Sequence, residues 1–147
     1  MKKVLIIYTS MTGNTEALVE EVQLGLKENN VIVDIKEAFD ASPDDLLEYD
    51  GFLIGTYTWE GGEIPDEFMF FYEELDSFDL TGKKAAVFGS GDSYYRFTFG
   101  AALNLFADKI QSCGATITVP TLLIDLFPEE EELDKCRQFA QQFSISL

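Results

Sequence analysis

The chain repeats one pattern: a short apolar run, a few turn residues, then a stretch with apolar positions at helical spacing. Val4-Leu5-Ile6-Ile7-Tyr8 is almost continuously apolar, as expected of a central parallel strand covered on both faces. Leu18, Val22, Gly25 and Leu26 follow at i, i+4, i+7 and i+8, one face of a helix that Asn29-Asn30 brings to an end. Val31 to Ile35 reads as a second strand. Ser42-Pro43 has the form of an N-cap and first helical residue, opening a short helix through Asp44, Asp45, Leu46 and Leu47 ahead of a third strand, Gly51 to Gly55. Pro65 opens a helix with Phe68, Phe71, Tyr72 and Leu75 on its buried stripe and Phe70 pointing away. A fourth strand, Lys84 to Gly89, leads through a polar and aromatic loop to a helix carrying Leu103, Phe106, Ala107, Ile110 and Cys113 on one face and ending at Gly114. Thr116 to Ile124 forms the fifth strand, and Thr116 to Asp125 runs straight toward the last helix. That helix opens on Glu129 to Glu132, with Leu133, Cys136, Ala140 and Phe143 inward. Four successive glutamates suit a first helical turn, where the helix dipole attracts negative charge.

Strands alternating with helices predict an α/β fold, a doubly wound five-stranded parallel sheet with helices on both faces. At 147 residues the chain can fill one core and is short for two, at roughly 100–200 residues per domain, so residues 1–147 read as a single domain. Ten Lys+Arg against 27 Asp+Glu give a net charge of −17, which opposes nucleic-acid phosphate and anionic lipid and favours basic partners. The 46% hydrophobic content is too high for a disordered acidic tail. The chain has no histidine, which excludes Ser-His-Asp and Cys-His nucleophiles, His-ligated zinc and a histidine acid or base. Cys113 and Cys136 stand too far apart for a CxxC pair, and two thiols cannot ligate an iron-sulfur cluster, so no metal site is expected and both read as inert buried thiols. No small-residue cleavage site follows the first apolar run, and no run approaches the ~18 apolar residues of a membrane span. A cytoplasmic protein is the expectation.

Three loops at the carboxyl ends of the strands carry unusual chemistry, at the edge where an open parallel sheet binds its ligand. The first, Thr9-Ser10-Met11-Thr12-Gly13-Asn14-Thr15, packs four hydroxyls, one amide and one glycine directly before a helix. Backbone N–H groups at a helix start, helped by those hydroxyls, surround a phosphate with donors. Ordinary capping needs one such side chain. The loop has no Lys or Arg and fits neither a Walker loop nor the three-glycine dinucleotide fingerprint, which points to a monophosphate without a metal. The second loop, Thr56-Tyr57-Thr58-Trp59-Glu60-Gly61-Gly62-Glu63, holds the only tryptophan. The third runs Gly89-Ser90-Gly91-Asp92-Ser93-Tyr94-Tyr95-Arg96-Phe97, with Phe99 just beyond. Aromatic side chains from the second and third loops can sandwich a flat heterocycle by offset stacking, while Asp92 and loop amides meet its polar edge.

With these motifs in place the chain resembles a flavodoxin of the short-chain type, from the first strand to the last helix. Thr9-Ser10-Met11-Thr12-Gly13-Asn14-Thr15-Glu16 is similar to that family's FMN-phosphate motif, Thr58-Trp59 to its first stacking loop, and Gly91-Asp92-Ser93-Tyr94-Tyr95 to its second. The resemblance implies a sheet order 2-1-3-4-5 with FMN at the switch point, which is carried over from the family, the standard example of that rule. It implies that Ser10, Thr12, Asn14 and Thr15 hold the phosphate, that Thr58 and Asp92 lie near the ribityl chain, and that Trp59 and Tyr95 flank the isoalloxazine. Thr9, Met11, Gly13, Thr56, Tyr57, Glu60, Gly61, Ser90, Gly91, Phe97 and Phe99 complete the expected cofactor-binding set. Two positions depart from the pattern: Glu60 precedes Gly61 and Gly62 where relatives often place a glycine at once, and Arg96 brings a cation beside the ring.

The function so implied is a low-potential one-electron carrier with non-covalent FMN, a monomer with no substrate of its own. It shuttles electrons from a donor of the flavodoxin/ferredoxin-NADP reductase type to basic-faced acceptor enzymes. Stacked aromatics and abundant carboxylates disfavour negative charge on a bound flavin and so lower its potential, by about 59 mV for each tenfold difference in affinity between two states one electron apart. A flavin-dependent quinone or azo reductase on the same fold is the nearest alternative. An FMN-containing activator, similar to the flavodoxin-like partners of manganese ribonucleotide reductase, and a cofactor-free interaction module are others.

Overall fold

The computed structural model describes residues 1–10, 13–58, 62–92, 94 and 100–147. Strand β1 (Lys3–Tyr8) lies in the middle of a parallel sheet, hydrogen-bonded to β2 (Ile32–Glu37) on one side and β3 (Gly51–Tyr57) on the other. Beyond β3 lies β4 (Lys84–Gly91), and on its far edge two short pieces, β5 (Thr116–Ile117) and β6 (Leu122–Asp125), both pair with it in parallel. The order is β2-β1-β3-β4-β5, with β6 also on β4.

The period of two along each strand divides the core. Leu5 and Ile7 join Phe52, Ile54, Ala85 and Val87 on one face, under α2 (Asp66–Glu74) and α3 (Ala101–Ser112). Val4 and Ile6 join Leu53, Ala86 and Phe88 on the other, under α1 (Asn14–Glu28) and α4 (Glu130–Ser146). The stripe of α2 meets that of α3 through Phe68 and Phe106, whose ring centres are 4.8 Å apart and edge-on. Between α1 and α4 the backbone of Gly25 comes so close to Ala140 that an added Cβ would sit 2.7 Å from the alanine methyl. That contact explains a glycine on an otherwise apolar stripe.

Several expectations are corrected by this structure. The fifth strand does not run straight from Thr116 to Asp125: after the Thr118 N–H bonds to the Ala85 carbonyl at 3.2 Å the ladder is interrupted until Leu122, and Pro120 has no N–H to continue it. The short helix expected after Ser42 is present, as a 3-10 helix over Pro43–Glu48 with a reciprocal Ser42–Asp45 capping box. On α4 the buried positions are Cys136, Phe139, Ala140 and Phe143, so Phe139 takes the inward place expected of Leu133, which is only half-buried. Cys113 caps α3 half-buried and donates its thiol to the Leu75 carbonyl at 3.1 Å, and only Cys136 is a fully buried thiol. Phe70 does face outward, 75% exposed. The glutamate run opens α4 through a Glu129–Glu132 capping box, in keeping with the dipole reading.

Candidate functional site

From β1 the chain leaves toward β2 on one side and returns to β3 on the other, so the β1/β3 carboxyl ends form the switch point of the sheet. The loops after β1, β3 and β4 all emerge there. Parallel register places Tyr8 beside Gly55, Thr56 beside Gly89 and Tyr57 beside Ser90. The N–H of Thr9 extends the ladder to the Gly55 carbonyl at 3.0 Å. Gly89 passes so near Thr56 that a Cβ would collide with the Thr56 carbonyl, which holds that position to glycine.

The first loop gathers donors around one oxygen. Gly13 is the N-cap of α1 with φ +86°, a left-handed conformation that glycine adopts without strain. A glycine has no side chain to cap the helix, and instead the Ser10 hydroxyl oxygen accepts the Gly13 N–H at 3.1 Å and the Glu16 N–H at 3.4 Å. An oxygen therefore already sits among the free N–H groups of α1, at the positive end of its dipole. Backbone N–H groups converging at a helix start are an arrangement that can hold an anion without a cation.

Thr15 points inward from the first turn of α1. It is fully buried, and its Oγ1 lies 2.9 Å from Ser90 Oγ on β4, where Ser90 is 4% exposed. Thr56 is likewise buried and donates its hydroxyl to the Tyr57 carbonyl at 2.9 Å. Thr58 Oγ1 accepts the Ala102 N–H at 3.3 Å, tying the second loop to the start of α3. Asp92 Oδ1 accepts the Tyr94 N–H at 2.9 Å and shapes the third loop. Gly91 receives the Leu126 N–H on its carbonyl at 2.7 Å.

Sequence reasoning missed Glu67. It stands in the first turn of α2 and accepts the Tyr57 hydroxyl at 2.9 Å and the Thr9 hydroxyl at 3.5 Å, so one carboxylate joins the ends of β1, β3 and α2. Burial and then the Glu67 bond hold the Tyr57 hydroxyl far above its ordinary pKa. The available signal was that in a parallel sheet the helix after β3 opens at this same edge, which brings its first-turn acids near the strand ends. A cavity of about 350 Å³ lies alongside, bordered by Tyr8, Ser10, Glu37, Phe39 and Glu67. Burial, with Glu16 and Glu37 nearby, also raises the pKa of Tyr8.

Thr9, Ser10, Gly13, Asn14, Thr15, Thr56, Tyr57, Thr58, Ser90, Gly91 and Asp92 are thus brought to one edge. Met11, Thr12, Trp59, Glu60, Gly61, Tyr95, Arg96, Phe97 and Phe99 lie outside the described residues. Among the described residues no group of three or more His, Cys, Asp or Glu is placed to hold a metal ion. No described helix is long and apolar enough to cross a membrane.

Comparison with known proteins agrees with this geometry. The family model described as Flavodoxin matches residues 6–139. The chain is 42% identical over 145 residues to "Probable flavodoxin 2" of Bacillus subtilis (strain 168), covering 98% of this chain and 95% of that protein. Among solved structures, oxidised Flavodoxin 1 from Bacillus cereus superposes with a TM-score of 0.94 at 40% identity, covering 99% of both chains. A short-chain flavodoxin associated with a non-canonical PDU bacterial microcompartment gives a TM-score of 0.95 at 34% identity, again over 99% of each chain.

Proposed function

Because the chain belongs to the flavodoxin family, short-chain in size, and is by that membership an FMN-binding electron carrier, we propose that it works as a low-potential shuttle between a reductase and acceptor enzymes. The observation that carries the reading is the Ser10 oxygen held by the Gly13 and Glu16 N–H groups beside a left-handed Gly13. That donor set fits a phosphate monoester, and the absence of Lys and Arg from residues 9–15 fits one that arrives without a metal.

In this reading Ser10, Thr12, Asn14 and Thr15 hold the phosphate, Thr58 and Asp92 meet the ribityl chain, and Trp59 and Tyr95 cover the ring. When bound, FMN supplies the capacity to take and give single electrons. The rest is the work of the protein. Glu67 holds the β1 and β3 ends in register through Thr9 and Tyr57, and Thr58 locks the second loop to α3. Carboxylates around the edge oppose added negative charge, which keeps the potential low. Trp59 and Tyr95, placed as the family resemblance implies, would cover both ring faces and leave an edge for electron exchange but no open face for a second substrate, so no turnover of its own is expected. Residues 1–147 act as one unit, a cytoplasmic monomer whose −17 charge resists self-association and steers it to donors of the flavodoxin/ferredoxin-NADP reductase type and to basic-faced acceptors.

Calorimetric titration of the apoprotein with FMN and with riboflavin tests the site directly. FMN is expected to bind at least about a hundredfold more tightly, since each charge-assisted hydrogen bond is worth about 1.5–3 kcal/mol. Equal affinities would remove the phosphate from the first loop.

A further inference from the structure

The corner after β6 combines a positive backbone φ with two exposed apolar side chains. Leu126 has φ +58°, and the other described non-glycine residue with positive φ is an asparagine, Asn30, which tolerates that region through its short polar side chain. A leucine has no such relief. Its side chain is also 51% exposed, and Phe127 beside it is 62% exposed. Pro128 is buried and anchors the corner from one side, while the Leu126 N–H bonds to the Gly91 carbonyl from the other. Two adjacent apolar side chains are therefore held outward, in strained backbone, next to the third cofactor loop. Strain of this kind persists only where the surroundings fix it, and it clusters at ligand and partner sites.

Charge identifies what covers them. Glu129, Glu130 and Glu131 are exposed directly beyond Pro128, and no Lys or Arg occurs between Thr116 and Asp134. A second copy of this chain would bring the same glutamates face to face, and an anionic lipid surface would be repelled. Building on the carrier reading, we propose that Leu126 and Phe127 form the apolar centre of its docking surface for a redox protein whose electron-exchange face is an apolar patch ringed by lysine or arginine. The acidic surround speeds encounter, and the apolar pair gives the brief complex its packed centre.

Cytochrome c, with its haem edge in a ring of lysines, is the probe. The FMN-loaded protein is photoreduced with EDTA as electron donor and mixed with ferric cytochrome c, each cytochrome taking one electron at its iron, and in parallel with ferricyanide, which needs no docking surface. In the Leu126→Gly/Phe127→Ser double variant the second-order rate with cytochrome c is expected to fall by about fivefold or more, the loss typical of one truncated apolar anchor. The ferricyanide rate, the FMN affinity and the salt dependence should match the parent. Leu126→Gly alone should melt no lower than the parent, because glycine relieves the strain. An unchanged cytochrome rate, or an equal fall with ferricyanide, would overturn the proposal. So would a parent dimer that the double variant converts to monomer. Failure of the parent to take up FMN would instead remove the carrier reading itself, and is seen in its colour before any mixing.

Discussion

Thr15 Oγ1 and Ser90 Oγ stand 2.9 Å apart with both residues buried, so one hydrogen bond ties the first turn of α1 to the carboxyl end of β4. It joins the segments that follow β1 and end β4. Ser90→Ala leaves the Thr15 hydroxyl buried without this partner, at a cost of about 1–3 kcal/mol. Thermal unfolding of the apoprotein should show a fall of roughly 3–8 °C in Tm. Removing both partners in Ser90→Ala/Thr15→Val should restore part of the loss, because no polar group is then stranded. Ser90→Ala with parental Tm would mean that the bond stabilises nothing.

Ser10 should separate the phosphate from the rest of the cofactor. Its hydroxyl oxygen is the acceptor around which the Gly13 and Glu16 N–H groups are arranged. Ser10→Ala is expected to weaken FMN binding by about tenfold or more and riboflavin binding hardly at all. Fluorescence quenching titrations of the two flavins read this ratio, and a parallel loss for both would show that Ser10 only shapes the loop.

Alkaline pH should expose the hydrogen bonds of Tyr49 and Tyr57. The Asp34 hydrogen bond, at 2.6 Å, together with burial pushes the Tyr49 hydroxyl up to about 12, and burial with the Glu67 bond raises Tyr57 further. In the unfolded chain both lose their protons near pH 10. The folded protein binds those protons more tightly, so their contribution is complete below pH 10 and drains away as pH rises toward the folded-state values. Urea midpoints should stay level up to pH 10 and then decline. The decline should be shallower in Tyr49→Phe and Tyr57→Phe, and the same slope in parent and both variants would contradict the assignment.

The thiols should differ in reactivity. Cys136 is fully buried, and burial, followed by the charge of Glu21, pushes it up to about 12, so its reactive thiolate is absent at neutral pH. Cys113 is half-buried at the end of α3. A chromogenic disulfide reagent at pH 8 should modify one thiol per folded chain, and Cys113→Ser should abolish that reaction. Two thiols reacting at the same rate would show that α4 opens readily.

The sheet was legible because its central strands are buried on both faces: Val4 to Ile7 leave no polar position to mistake for a loop. The loop after β1 stands out in the sequence for the opposite reason, since its hydroxyls exceed what a helix cap needs. Three features could not be read locally. Pro120 interrupts the β5–β6 edge without a change of hydrophobic pattern, so the run looks continuous. Glu67 looks like any first-turn acid until Tyr57 and Thr9 converge on it from two other strand ends. Leu126 carries a positive φ that leucine does not announce, set by the bond from its N–H to Gly91.

Spectroelectrochemical titration of the FMN-loaded protein under strict anaerobiosis decides whether this molecule is a one-electron carrier. Two resolved one-electron steps are expected, the second strongly negative, because the protein binds the successive charge states of its cofactor unequally. A single two-electron step in the loaded protein would contradict the carrier reading and leave a flavin enzyme on the same fold.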